Sequence, residues 1–168
     1  MSDKTENKLD PEAEAFIEET ISRIVDDGMM TVGEIGGMSE SELEAIYSVG
    51  YNLARVGKFE DAEKVFRGLV MLDHLSAKYW YALGSVLQQQ RKFDVALQVF
   101  QLSAFLDSDD PKPQLRCAEC HLALGDRENA LNALDAMEFM AAKDTDVRRS
   151  YHAKGAELRA VITAERGK

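Results

Sequence analysis

Three alanines, Ala62, Ala96 and Ala130, stand 34 residues apart and share one local pattern. Four residues after each alanine comes a large apolar side chain, and twelve residues before it comes a small residue. The large set is Phe66, Phe100 and Leu134, and the small set is Gly50, Gly84 and Ala118. Large residues facing small ones at helical spacing predict helices that approach closely. The chain is therefore expected to contain three copies of one helical pair.

A period of 34 residues is that of the tetratricopeptide repeat, a helix-turn-helix unit that stacks into a solenoid. We predict an all-α fold with three tandem tetratricopeptide repeats. Gly57 and Gly125 fall at the turn within a repeat, where a left-handed helix end favours glycine. The predicted repeats occupy about residues 43–76, 77–110 and 111–144, within a repeat region of residues 39–143.

The segments on either side of the repeats have their own signals. Residues 1–9 are polar and expected to be disordered, and residues 10–38 are expected to form an N-terminal helix and a flexible, apolar connection rich in glycine. Ser39 and Glu42 form a capping-box pattern that opens the first repeat. Residues 145–168 are expected to form a helix that caps the open end of the solenoid, followed by a tail.

Composition and charge narrow the possible locations and ligands. No apolar run approaches the roughly 18 to 20 residues that cross a bilayer, and no signal-peptide pattern opens the sequence. We therefore expect a cytoplasmic protein that does not insert into membranes. Residues 1–42 hold 12 acidic and 3 basic side chains, whereas residues 43–168 hold 18 and 17. Without a basic stripe to neutralise phosphates, nucleic acid is not an expected partner.

An apolar stripe at helical spacing lies in the N-terminal segment, outside the repeats. Its members are Phe16, Ile17, Ile21 and Ile24. The stripe can pack against the first repeat, or it can pair with its counterpart in a second copy, since symmetric dimers are the commonest oligomers. The residues alone leave both interpretations open.

The predicted binding surface is the concave face, built from the first helix of each repeat. Repeat geometry assigns to it Tyr47, Tyr51 and Arg55 from the first repeat, Tyr81, Ser85 and Gln88 from the second, and Leu115, Glu119 and Leu122 from the third. Tyrosine rings offer a large contact area at low entropic cost, with a hydroxyl for the peptide backbone. Such a lining favours an extended peptide with spaced apolar or proline side chains, although single tyrosines can instead pack within a repeat.

Cys117, Cys120 and His121 spell C-x-x-C-H, which is the attachment pattern of c-type haem and contains a dithiol redox pattern. Haem attachment requires export, and a redox dithiol usually opens a helix beside a strand. Here the motif falls inside a predicted helix with Cys117 on its core side. We predict buried cysteines, no catalytic or metal site, no cofactor and no enzymatic activity.

The stretch LEAIYSVGYNLARVGKFEDAEKVFRGLVMLDH, residues 43–74, resembles the class II chaperones of bacterial type III secretion. The likeness covers about residues 35–143. Its most family-like parts are Leu72-Asp73-His74, Tyr79-Trp80-Tyr81 and Ala118-Glu119-Cys120.

This resemblance implies an ATP-independent chaperone that holds hydrophobic translocator proteins, expected to be two, in the bacterial cytoplasm. The client would place a proline-containing N-terminal segment in the concave groove, where Tyr47 and Tyr51 fall on family positions that line it. The resemblance also favours a homodimer formed through the N-terminal helix.

A second candidate function is a co-chaperone that binds the acidic C-terminus of a heat-shock protein. Such a groove uses lysine and asparagine side chains to clamp carboxylates. Lys78, Lys112 and Arg116 could supply positive charge, but Tyr47 and Tyr51 occupy places where the clamp requires lysine and asparagine. The sequence thus favours the secretion chaperone and leaves the adaptor as the alternative.

Overall fold

The computed structural model describes residues 31–141 and 146–164, and in these ranges every regular element is a helix. In chain order the helices are α1 (Val32–Ile35), α2 (Glu40–Arg55), α3 (Phe59–Leu72), α4 (Ala77–Gln89), α5 (Phe93–Leu106), α6 (Lys112–Ala123), α7 (Arg127–Ala141) and α8 (Asp146–Ala164). From α2 to α8, each helix packs against the next one along the chain. This is the predicted solenoid of three helical pairs followed by one further helix.

The first helices α2, α4 and α6, together with α8, also contact one another across the repeats. The second helices α3, α5 and α7 make no comparable contacts with each other within the described ranges. A stack curves towards the side on which its elements lie closer together. The first helices therefore line the concave face, and the second helices form the convex face.

Size complementarity between paired helices explains the sequence pattern. A Cβ atom added at Gly84 would lie 2.7 Å from the ring of Phe100, and one added at Gly50 would lie 2.9 Å from the ring of Phe66. The third repeat has alanine at Ala118, and the residue facing it is the smaller Leu134, fully buried. Each repeat therefore fills the same space between its helices with a different pair of side chains.

The turn within each repeat has one hydrogen-bonding scheme. The amide of Gly57 donates to the Ala54 carbonyl at 3.1 Å, and the next amide, of Lys58, donates to Leu53 at 2.9 Å. The equivalent bonds recur in the other two turns. Gly57 and Gly125 both have φ of 79°, and Arg91 takes the same left-handed conformation with φ of 61°. The second repeat thus forms without glycine the turn that the sequence predicts for the other two.

The connection before the first repeat differs from the prediction. Residues 32–35 form α1 instead of irregular chain, and Thr31 with Glu34 makes a complete capping box at its start. The amide of Thr31 donates to the Glu34 carboxylate at 2.7 Å. The T-x-x-E spacing was visible in the sequence, but the three nearby glycines concealed it. The predicted capping box of Ser39 and Glu42 forms at the start of α2.

Candidate functional site

Two aromatic pairs related by the repeat period anchor the concave face. Tyr47 packs on Phe66 and Tyr81 packs on Phe100, in both cases with ring centroids 5.6 Å apart and an interplanar angle of 57°. In the third repeat Leu115 stands at the equivalent position and is only 5% exposed. The concave face is thus aromatic in its first two repeats and aliphatic in its third.

Tyr47 is half-buried between the concave surface and the core. Its ring lies 6.0 Å from that of Tyr79, and the Lys78 ammonium sits 4.1 Å from the Tyr47 ring centroid. Burial raises the pKa of Tyr47 above its usual range, although the nearby Lys78 charge opposes that shift. Lys78 is itself paired with Glu44 one repeat earlier. Tyr47 therefore presents one ring edge to the groove while the rest of it stabilises the first repeat.

A polar network crosses the middle of the concave face. Arg116 donates from Nε to the Tyr81 hydroxyl at 3.2 Å and from Nη1 to the Glu119 carboxylate at 2.9 Å. Gln88 donates to the same Glu119 oxygen at 2.8 Å. Burial alone lowers the pKa of Arg116, but the contacts with Tyr81 and Glu119 outweigh burial and raise it. The network fixes charged and amide groups at the centre of the groove.

Tyr51 has the largest exposed apolar surface on the concave side. It is 52% exposed and borders a hollow of about 320 Å³. The other residues lining this hollow are Ala54, Arg55, Phe59, Ser85, Val86, Gln88, Gln89 and Arg116. We call it the tyrosine hollow. It offers an aromatic wall together with amide and guanidinium groups, which suits a peptide side chain and its adjoining backbone.

A second hollow of about 380 Å³ lies between α6 and α8 and shares Arg116 with the tyrosine hollow. Its lining comprises Leu115, Arg116, Glu119, Tyr151, Lys154, Glu157, Leu158 and Val161. Helix α8 was expected to cap the stack, and its contribution of Tyr151 and Val161 to the groove was not foreseen. The apolar stripe of α8 was visible in the sequence, but the angle at which it meets α6 was not.

The structure brings most of the predicted site residues together and gives several of them other tasks. Tyr51, Arg55, Ser85 and Gln88 surround the tyrosine hollow. The Ser85 hydroxyl donates to the Tyr81 carbonyl of its own helix at 2.8 Å. Leu115 belongs to the buried core while forming the floor of the second hollow, and Leu122 packs against the core half-buried. Leu115 is therefore first a packing residue, because helix α8 covers it.

The predicted dimerisation residues Phe16, Ile17, Ile21 and Ile24 lie outside the described residues. Their role therefore stays a prediction.

Cys117 and Cys120 are free and buried inside α6. Burial raises the pKa of the Cys117 thiol to about 12 and that of Cys120 to about 11. A reactive dithiol requires the opposite shift, since the thiolate is the nucleophile. Within residues 31–141 and 146–164, no group of three histidine, cysteine or acidic side chains could hold a metal ion. In the same ranges no helix is long and apolar enough to cross a membrane.

Fold and groove together define a tetratricopeptide-repeat protein with an open concave face. Residues 77–110 match the family model described as "Tetratricopeptide repeat". The chain is 33% identical over 114 residues to the "Low calcium response locus protein H" of Yersinia pseudotuberculosis, covering 67% of this chain and 68% of that protein.

Two solved structures resemble this fold closely. One is PcrH in complex with the chaperone binding region of PopD, with a TM-score of 0.73, 34% identity and coverage of 77% of this chain and 97% of that one. The other is an alternative dimer of the Yersinia enterocolitica type III secretion translocator chaperone SycD, with a TM-score of 0.73, 27% identity and coverage of 77% and 98%. The chain belongs to the family of class II type III secretion chaperones.

Proposed function

We propose that this protein is a cytoplasmic chaperone that holds translocator proteins of a type III secretion system before export. The client places an extended, proline-containing segment from near its N-terminus in the concave groove of residues 39–143. The observation that carries the proposal is the half-exposed Tyr51 beside a hollow of about 320 Å³, on a chain that belongs to the translocator-chaperone family. Two clients are expected, since the similar PcrH is described with PopD and also with PopB.

The groove has the chemistry that an extended peptide requires. Apolar and proline side chains of the client contact Tyr51, Tyr47 and the aliphatic floor at Leu115. Between these places, the amide of Gln88 and the guanidinium of Arg116 face peptide groups that no helix or strand has paired. A proline-rich segment is already extended, so its binding loses little conformational entropy. This division of labour between apolar contacts and a central polar network supports peptide binding.

Chaperoning of this kind needs no catalytic step. A client held in the groove lowers the concentration of free, aggregation-prone translocator by mass action. The protein is therefore proposed to work without ATP, cofactor or chemical conversion.

The co-chaperone alternative has less support. A carboxylate clamp needs cations that are free to pair with an incoming acidic terminus. Lys78 is paired with Glu44, Lys112 lies 3.4 Å from Asp110, and Arg116 lies 2.9 Å from Glu119. Because each of the three cations already has a carboxylate partner, an acidic peptide would have to displace that partner first.

The test is fluorescence anisotropy with two labelled peptides, one apolar with spaced prolines and one ending in an acidic heat-shock sequence. We expect saturable binding of the first peptide only. Tyr51→Ala should weaken it by about 1 to 3 kcal/mol if the ring is a binding hot spot. The matched control is Val49→Ala, on the same helix, 54% exposed and outside the lining of both hollows. Binding of the acidic peptide alone would replace this proposal with the co-chaperone function.

We also propose that the chain forms a homodimer through its N-terminal stripe. Burial of isoleucines between two copies makes a charged substitution there costly. The double variant Ile17→Asp and Ile21→Asp should halve the molecular mass measured by light scattering. A mass that stays unchanged would contradict the dimer mode without affecting the proposal for the groove.

A further inference from the structure

The convex face carries one large exposed apolar side chain in each repeat, at the same position. Met71, Phe105 and Phe139 are 73%, 81% and 78% exposed, and successive members stand 34 residues apart. Each lies near the C-terminal end of its helix, on α3, α5 and α7 respectively. We call these three residues the apolar row. They have no part in the concave groove, which lies on the opposite side of the solenoid.

The row requires an explanation because folding does not use it. On the same helices the neighbouring Val70 and Ala104 are 8% and 7% exposed and belong to the packed interior. Single exposed apolar residues are common on protein surfaces, but a regular set of large ones marks an interaction surface. Because each member repeats at the solenoid period, the three side chains lie along one line across the convex face.

Negative charge surrounds the row. The helices α3, α5 and α7, with the loops that follow α3 and α5, hold eleven acidic and three basic side chains. Asp73 and Asp107 stand two residues beyond Met71 and Phe105, and neither forms an ion pair with a residue that the structure describes. None of the three helices has a basic side chain in its last turn. The partial negative charge of these helix ends therefore adds to that of the aspartates.

We propose that the apolar row binds a lysine- or arginine-rich amphipathic helix of another protein. Apolar side chains of that helix contact Met71, Phe105 and Phe139, while its cations face Asp73, Asp107 and the helix ends. A helix suits this surface because it satisfies its own backbone hydrogen bonds, and the convex helices offer few free backbone groups to an extended chain. A helix of about 20 residues is about 30 Å long, enough to reach across neighbouring repeats.

The charge of the surface also decides against two other occupants. An anionic membrane would be repelled by the acidic face. A second copy would bring an equally acidic convex face against the first, with the same repulsion. This surface acts independently of the proposed groove, so the two can be tested separately.

The test uses the full chain and an 18-residue synthetic helix with leucines on one face and lysines on the other, labelled for anisotropy. A second probe replaces the lysines with glutamates. We expect the lysine probe to bind, more weakly as salt is raised, and the glutamate probe to bind at least tenfold less tightly. Failure of the lysine probe to bind, or equal binding of both probes, overturns the proposal.

Variants then locate the site. The triple variant Met71→Ser, Phe105→Ser and Phe139→Ser should weaken the lysine probe at least tenfold. The control Lys64→Ser, Gln98→Ser and Asn132→Ser changes exposed residues on the same three helices at the same 34-residue spacing. It should change binding less than twofold, and the lost lysine charge can only favour the cationic probe. Equal effects of the two triple variants mean that the row is not the site.

Two further measurements separate the remaining occupants. Tyr51→Ala should leave binding of the lysine probe within twofold, and a loss equal to that of the row variant would place the probe in the concave groove instead. Light scattering and sedimentation with phosphatidylserine vesicles complete the set. A mass in solution, or a vesicle affinity, that depends on the row would reassign it to a second copy or to a membrane, and either result overturns the proposal.

Discussion

The two faces of the solenoid follow the same 34-residue period but carry different chemistry. The first helices α2, α4 and α6 hold four acidic and four basic side chains, and their largest exposed ring is Tyr51. The second helices and the loops after α3 and α5 hold eleven acidic and three basic side chains, and their exposed apolar residues form a line. A repeat therefore specifies two surfaces at once, because the helix period assigns alternate positions to opposite sides.

The concave face is the one on which binding and folding share residues. Tyr47 packs against Phe66 and Tyr79, whereas Tyr51, one helical turn later, is half-exposed. Two tyrosines of one helix thus serve different purposes. The difference in burial predicts which of the two can be removed without unfolding the protein.

The largest expected effect tests that division. Tyr47→Ala should lower the free energy of unfolding by about 2 kcal/mol, since it removes a half-buried ring from two aromatic contacts. Tyr51→Ala should lower it by less than about 1 kcal/mol while weakening client-peptide binding. Urea denaturation followed by circular dichroism measures both. Equal losses of stability would assign Tyr51 to the core and remove it from the proposed site.

The contact between the two faces gives the next effect. Gly84→Ala should destabilise the protein by about 1 to 2 kcal/mol, because the added methyl would lie 2.7 Å from a ring atom of Phe100. This loss exceeds the gain of about 1 kcal/mol that alanine brings to a helix. The measurement is the same urea denaturation.

A double variant serves as the control for this substitution. Gly84→Ala with Phe100→Leu reproduces the pair Ala118 and Leu134 of the third repeat. It should be more stable than the sum of its two single variants predicts. Strict additivity of the single effects would mean that helix separation, and not the matched pair of side chains, sets the packing.

Sequence reasoning predicted the elements in which one residue type has one use. The period, the capping box at Ser39 and the left-handed glycines at Gly57 and Gly125 each follow from local chemistry, and the structure confirms them. It also predicted most of the tyrosine hollow, because the side of a helix on which a residue lies depends only on spacing.

Other features depend on how helices meet, which the sequence does not encode locally. Leu115 satisfies the spacing for the concave face, yet α8 covers it. The network of Arg116, Glu119 and Gln88 joins side chains from two repeats at distances that spacing alone does not give. The apolar row was readable at its 34-residue spacing, but only exposure distinguishes such a row from a row of core residues.

A smaller effect concerns the one strongly paired acid on the convex helices. Glu63 accepts hydrogen bonds from Lys92 at 2.9 Å, Gln90 at 2.8 Å and Arg67 at 2.8 Å, and its side chain is 12% exposed. The bond from Lys92 is the chief cause that lowers the pKa of Glu63 from 4.5 to about 2. Glu63 thus ties α3 to the turn between α4 and α5, unlike Asp73 and Asp107.

Because the pKa of Glu63 is lower in the folded state, its stabilisation is fully present above about pH 4.5 and is lost as pH falls towards 2. Glu63→Gln should therefore destabilise the protein by about 1 kcal/mol at pH 7. The difference between wild type and variant should shrink as pH falls through this window. Denaturation curves at pH 7, 4.5 and 3 measure it, and a difference that is constant across these values would contradict the ion-pair origin.

The smallest expected effect is the one that most sharpens the contrast between the faces. Serines at Met71, Phe105 and Phe139 should leave the free energy of unfolding within about 0.5 kcal/mol of that of the control with serines at Lys64, Gln98 and Asn132. Both sets bear the same type of substitution on the same helices, so the loss of helix propensity nearly cancels in the comparison. A row variant clearly less stable than the control would show that these side chains are packed in the folded chain. Equal stability together with lost binding of the lysine probe would mean that the convex row serves recognition and not folding, whereas on the concave face Tyr47 does both.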